Sequence, residues 1–261
     1  MNQTGRPMYL SLWIVITYTI MITVNILANT LPINGQTTSE VSDKYGNLFA
    51  PAGFTFAIWG VIYVLLALHV LYQLGLFQKK RNSILLNQVG IYFCISSILN
   101  ALWILAWHYE KLFISVLIMI LLLLCLIKIN NMTSTASLSR REWLFIKLPF
   151  SVYFGWITIA TIANITALLV SINWDGFGLS EVTWTIIILF VGAAIGILTM
   201  LQQQNIAYGL VFVWAYYGIY SKHVSESGFN GEYPTIITTV LICLLLFILT
   251  IILIAIRKRR S

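Results

Sequence analysis

Charge is what this 261-residue chain has least of: 15 Lys and Arg with 8 Asp and Glu make 9% of it, against 59% apolar residues. A water-soluble surface needs far more charge than that, so a soluble globular fold is excluded. Cysteine is scarce too. Cys94, Cys125 and Cys243 lie far apart inside apolar runs, which reads as neither a disulfide framework nor a thiolate metal site but as small buried hydrophobes. Three dispersed histidines, with no HExxH, no phosphate-cradling loop and no serine nucleophile motif, leave no metal or hydrolase signature. The apolar runs also lack carboxylates, which a proton- or ion-coupled transporter usually needs. Apart from tyrosine and cysteine, His69 is the only ionisable residue well inside a run, and the sequence shows no obvious partner for it.

What the chain does have is apolar length. Eight segments of roughly the ~20 residues that span a bilayer can be drawn, at about 8–28, 51–74, 85–107, 111–128, 145–170, 184–201, 206–220 and 235–256, the seventh being the shortest. None alternates like a strand, and backbone in hydrocarbon must bond internally, so the expected fold is all-α: a polytopic membrane helix bundle of about eight spans. The first run is longer than the ~7–15 apolar residues of a signal peptide and reads as a retained helix. Positive charge supports the count, because cytoplasmic loops collect Lys and Arg. With the N-terminus inside, the inner side holds Arg6, Lys79, Lys80, Arg81, Lys128, Arg140, Arg141, Lys147, Arg257, Lys258, Arg259 and Arg260, and the outer side only Lys44, Lys111 and Lys222. The net charge of +7 is then mostly a topology signal, with the lipid bilayer rather than nucleic acid as partner.

Three segments carry rings and amides at helical spacing. Pro51 suits a first helical turn, so the second helix is predicted to start at or just after it. Phe56, Trp59 and Tyr63 then form one stripe. Asn100, Trp103 and Trp107 share a face of the third segment, and Trp156, Ala160 and Asn164 step by four along the fifth. Packing glue is the plain reading of each. At ~1.5 Å per residue, however, Trp59, Asn100 and Asn164 lie ~9 to ~12 Å below the outer ends of their helices and Trp156 ~21 Å below. Three helices could thus present rings and amides to one cavity under the 29–50 loop, which is either a linker or a lid. Trp107 and His108, and likewise Trp214, Tyr216, Tyr217 and Tyr220, read as interface belts. GAAIG at 192–196 reads as a close helix contact.

PAGFTFAIWGVIY at 51–63 resembles the second-helix motif of the tryptophan-rich sensory protein family, also called translocator proteins or peripheral-type benzodiazepine receptors. LNALW at 99–103 resembles its third-helix motif, and Trp156, Ala160 and Asn164 match the fifth. Phe56 and Trp59 are three apart where the family has four, and Phe54 stands where it has a tryptophan. The resemblance implies a five-helix bundle over residues 1–170, with three additional transmembrane helices and a basic cytoplasmic tail over 171–261. It also implies a pocket closed by the loop after the first helix and lined or supported by Trp59, Asn100, Trp103, Trp156 and Asn164. Phe56, Tyr63 and Ala160 join this candidate ligand-binding set from their stripes. The function it implies is a membrane sensor or regulator of tetrapyrroles such as porphyrin and haem, or of similar flat hydrophobic molecules. A transporter or permease component for a hydrophobic small molecule is the alternative. Light-dependent porphyrin breakdown is an activity of some members; no catalytic residue and no required cofactor is expected, porphyrin or haem being the ligand. A homodimer is among the expected partners, and the expected location is a bacterial plasma membrane with both termini cytoplasmic.

Overall fold

In the computed structural model, which describes residues 8–31, 33–77 and 83–260, helix is the only regular structure. Eight long helices occupy the apolar runs: α1 (Met8–Thr30), α2 (Ile58–Gln73, preceded by a 3-10 turn at Gly53–Ala57), α3 (Ser83–His108) and α4 (Leu112–Thr135). They continue with α5 (Arg140–Ser171), α6 (Glu181–Gln203), α7 (Ile206–Val224) and α8 (Pro234–Arg260). With α2 taken together with its 3-10 turn (Gly53–Gln73), seven of them, all but α7, are long and apolar enough to cross a membrane, and the chain is a multi-pass membrane protein. Helix α7 has 19 residues, about 28 Å at the α-helical rise. Its five aromatic residues with polar tips and the Ser221, Lys222 and His223 at its end set it apart from the aliphatic α8. Of the charges used to orient the chain, Arg6, Lys79, Lys80 and Arg81 lie outside the described residues.

Two compact units share the chain, Met1–Thr38 with Trp59–Phe154, and Ser39–Ile58 with Gly155–Ser261. In the first, α1 and α4 both pack on α3. Helix α1 does so with Ile14, Thr17, Met21, Asn25 and Ala28, buried at steps of three and four. In the second, α8 packs on α6 and α7. The glycines of GAAIG there make room for rings: a Cβ at Gly196 would stand 2.6 Å from the Phe212 ring, and one at Gly192 2.7 Å from the Tyr216 hydroxyl. The close helix contact expected of this motif is thus an aromatic insertion from α7. Tyr216 is fully buried, its hydroxyl donating to the Leu189 carbonyl at 2.7 Å, so it is core rather than interface belt.

His69 has the partner the sequence did not show. Pro149 carries no N–H, and in a regular helix that N–H would bond the carbonyl of Phe145. Around that gap the backbone widens into a π turn at Trp143–Lys147. His69 Nδ1 donates to the freed Phe145 carbonyl at 2.8 Å, while Gln73 Nε2 donates to His69 Nε2 at 3.1 Å. The imidazole is thereby held as one neutral tautomer, with Phe93 and Phe150 edge-on to it.

Candidate functional site

Four sequence-predicted residues meet in the first unit. Trp59 stacks on Tyr63, one helical turn along α2 (ring centroids 5.6 Å apart, interplanar angle 19°), and approaches Trp103 of α3 at 5.9 Å. Tyr153 of α5 meets Trp59 edge-on at 6.1 Å. Trp103 in turn stacks on Trp107 at 6.0 Å. A polar spine runs beside these rings. The Tyr63 hydroxyl donates to Asn25 Oδ1, Asn25 Nδ2 to Asn100 Oδ1 at 2.7 Å, and Asn100 Nδ2 to the Tyr153 hydroxyl at 2.9 Å. Four helices are thereby stitched at one level with no charge, which suits a bilayer, where a charge is costly and an amide is tolerated once paired.

The sequence reading missed Asn25 and Tyr153. Asn25 was legible in principle, being an amide inside an apolar run just as Asn100 is. Tyr153 lay hidden among the aromatic residues of α5. The spine also changes the role of Asn100, which spends a donor and its acceptor on neighbouring helices. One donor in the cluster remains open: the Trp103 indole N–H is buried and has no acceptor among the described residues.

Phe56 does not extend the Trp59 and Tyr63 stripe. It lies in the 3-10 turn, because α geometry begins at Ile58 rather than near Pro51. Ala52 is extended and its N–H goes to the Gly218 carbonyl at 3.0 Å, so the first internal bond of the turn is Thr55 N–H to Ala52 at 2.9 Å. Phe56 instead meets Trp156 edge-on at 5.9 Å in the second unit, which also holds the buried Asn164 and the half-buried Ala160. The eight candidate residues therefore divide into Trp59, Tyr63, Asn100 and Trp103 in one unit and Phe56, Trp156, Ala160 and Asn164 in the other.

From Ile33 on, the segment after α1 is anchored by hydrogen bonds within each unit. In the first unit, Asn34 Nδ2 donates to the His108 carbonyl at 2.9 Å, His108 Nδ1 to the Ile33 carbonyl at 3.1 Å, and Trp107 Nε1 to the Thr38 carbonyl at 3.1 Å. Trp107 and His108 are buried, so they clamp this segment instead of forming an interface belt. In the second unit, a short helix at Thr38–Lys44 leads to the Pro51 stretch, and α7 holds both. Lys222 pairs with Asp43 at 2.7 Å, His223 Nε2 donates to the Leu48 carbonyl at 2.9 Å, and Trp214 Nε1 to the Thr55 carbonyl at 2.9 Å. Gly218 lets Thr55 close in, since a Cβ there would collide with the Thr55 hydroxyl. Phe54 lies edge-on to Trp214 at 5.5 Å.

Among the described residues no group of three or more His, Cys, Asp or Glu gathers as metal ligands would. Comparison with curated proteins and with solved structures gave no match. The family model described as TSPO-like protein does match, over residues 11–253, from the first turn of α1 into the last turns of α8. With the match running through all eight long helices, the chain belongs to the TSPO-like protein family.

Proposed function

We propose that this protein is a membrane sensor or regulator that binds a tetrapyrrole, or a similarly flat hydrophobic molecule, at the Trp59 cluster. The supporting observation is the Trp103 indole N–H, buried among stacked rings with no acceptor among the described residues. A buried donor left open costs about 1–3 kcal/mol, which a ligand bringing an acceptor would recover. Porphyrin has that chemistry: a flat π face for the indoles and polar groups at its edge. In this reading Trp59 and Tyr63 supply faces, Trp103 a face and a donor, and Asn100 holds the wall through Asn25 and Tyr153. The chain would sit in a bacterial plasma membrane with both termini cytoplasmic.

The test is a titration of the purified protein with protoporphyrin IX, read by tryptophan fluorescence. Saturable quenching is expected, weakened by Trp59→Ala and by Trp103→Phe, which keeps the ring system apolar and removes the N–H. Trp156→Ala reports whether the ring pair of the second unit contributes. Quenching that never saturates would overturn the reading.

A further inference from the structure

The connection from α5 to α6 builds a second, different site. Gly176, Phe177 and Gly178 are all left-handed, with φ of 64, 54 and 76°, a run that a ring-bearing residue adopts only when its surroundings hold it there. The turn leaves Phe177 79% exposed. Its ring is edge-on to Trp174 at 5.2 Å and lies 6.4 Å from Trp184, and the two indoles are 5.0 Å apart. Trp184 is fixed in place: its Nε1 donates to the Gly176 carbonyl, and a Cβ at Gly176 would stand 2.8 Å from the indole. Asp175 Oδ1 accepts the Phe177 N–H at 3.0 Å and holds the turn.

These indoles wall a cleft of about 330 Å³ that extends to Asn47 and Ile188. Asp175 and Glu181 also line it, both exposed, and no Lys, Arg or His does. Aromatic faces and unbalanced negative charge attract the same class of molecule, an organic cation whose alkyl groups lie on the rings while its charge meets the carboxylates. The hard metal ions would need several converging oxygens instead of ring faces. The cleft caps two membrane-spanning helices, so it stands at the bilayer edge. We propose that it binds the ammonium group of a small organic cation, either a free solute or the headgroup of a phospholipid. This site is independent of the tetrapyrrole reading, since it shares none of the residues of the Trp59 cluster.

The test uses the full chain in maltoside detergent, titrated with tetramethylammonium chloride against sodium chloride at equal ionic strength and read by tryptophan fluorescence and calorimetry. Saturable binding specific to tetramethylammonium is expected. It should weaken by about fivefold or more in Glu181→Gln and Asp175→Asn, and more still in Trp184→Leu. The two charge variants keep side-chain size, and unchanged melting temperatures separate lost binding from lost fold. In nanodiscs, tetramethylammonium binding that is weaker in phosphatidylcholine than in phosphatidylglycerol assigns a lipid headgroup; equal binding assigns a free solute. No response beyond the sodium control, or equal binding by wild type and both charge variants, overturns the proposal. Protoporphyrin binding stays unchanged in all three variants, so either proposal can fail alone.

Discussion

Around Trp59 three buried rings pack with the half-buried Tyr63, and the two tyrosines and two buried amides form one hydrogen-bonded chain, whereas around Trp184 two indoles and two exposed carboxylates line an open cleft. The first cluster has neutralised nearly every polar group it contains, leaving one indole N–H. Any ligand it takes must be flat, apolar and able to accept a hydrogen bond. The second keeps its charge in the open, where water screens it, and takes its selectivity from the sign of that charge. The same residue type, tryptophan, therefore stands in opposite chemical surroundings, one without charge and one beside two carboxylates.

The contrast can be broken most directly by removing one indole from each cluster. Trp59→Ala should destabilise the protein by about 3–5 kcal/mol, as large core truncations do, whereas Trp184→Ala should lose less than half as much because its ring is only half-buried. Thermal or denaturant unfolding in detergent measures both, and equal losses would erase the distinction. The next effect lies in the scaffold of the second unit. Gly218→Val pushes a side chain into Thr55 and should cost about 2–3 kcal/mol, with partial recovery on adding Thr55→Ala; no recovery would mean that the contact is not the cause.

A smaller effect tests the scaffold of the first unit. His69→Leu strands the Phe145 carbonyl and should cost about 1–2 kcal/mol. Adding Pro149→Ala restores a backbone donor to that carbonyl and should return most of the loss, an outcome that a purely steric role for His69 does not produce. The smallest expected effect sharpens the open cleft. Gly176→Ala places a Cβ on a left-handed backbone against Trp184 and should cost about 1 kcal/mol. Its larger readout is weaker tetramethylammonium binding, because the displaced indole no longer forms the wall.

Much of this was legible in the residues because a bilayer leaves few options. Apolar runs gave the eight helices, with most ends within five residues and the start of α2 and the end of α4 seven residues away, and i, i+3 and i+4 spacing marked the stripes from which Trp59 and Trp103 meet. What could not be read was which polar groups meet across helices. Asn25 and Asn100 are 75 residues apart, and nothing local in either segment names the other. His69 was readable in hindsight, since a proline inside a helix frees the carbonyl four residues earlier and a buried donor must be found for it. The role of α7 was hidden for a different reason: its tyrosines and tryptophan match an interface belt in composition, and only tertiary contact shows Trp214, Lys222 and His223 gripping the stretch from Asp43 to Thr55 while Tyr216 enters the core. Phe56 left its stripe because the 3-10 turn changes the angular step per residue, which spacing alone cannot show.

One absorbance titration with protoporphyrin IX, following its Soret band across wild type, Asn100→Leu and Glu181→Gln, tests the Trp59 cluster as the ligand site most directly. A ligand seated against Trp59 and Trp103 gives a saturable band shift in wild type, an affinity at least about tenfold lower in Asn100→Leu, since about 1.4 kcal/mol of lost wall geometry suffices, and no change in Glu181→Gln. Equal affinity in all three proteins, or loss in Glu181→Gln alone, would contradict it.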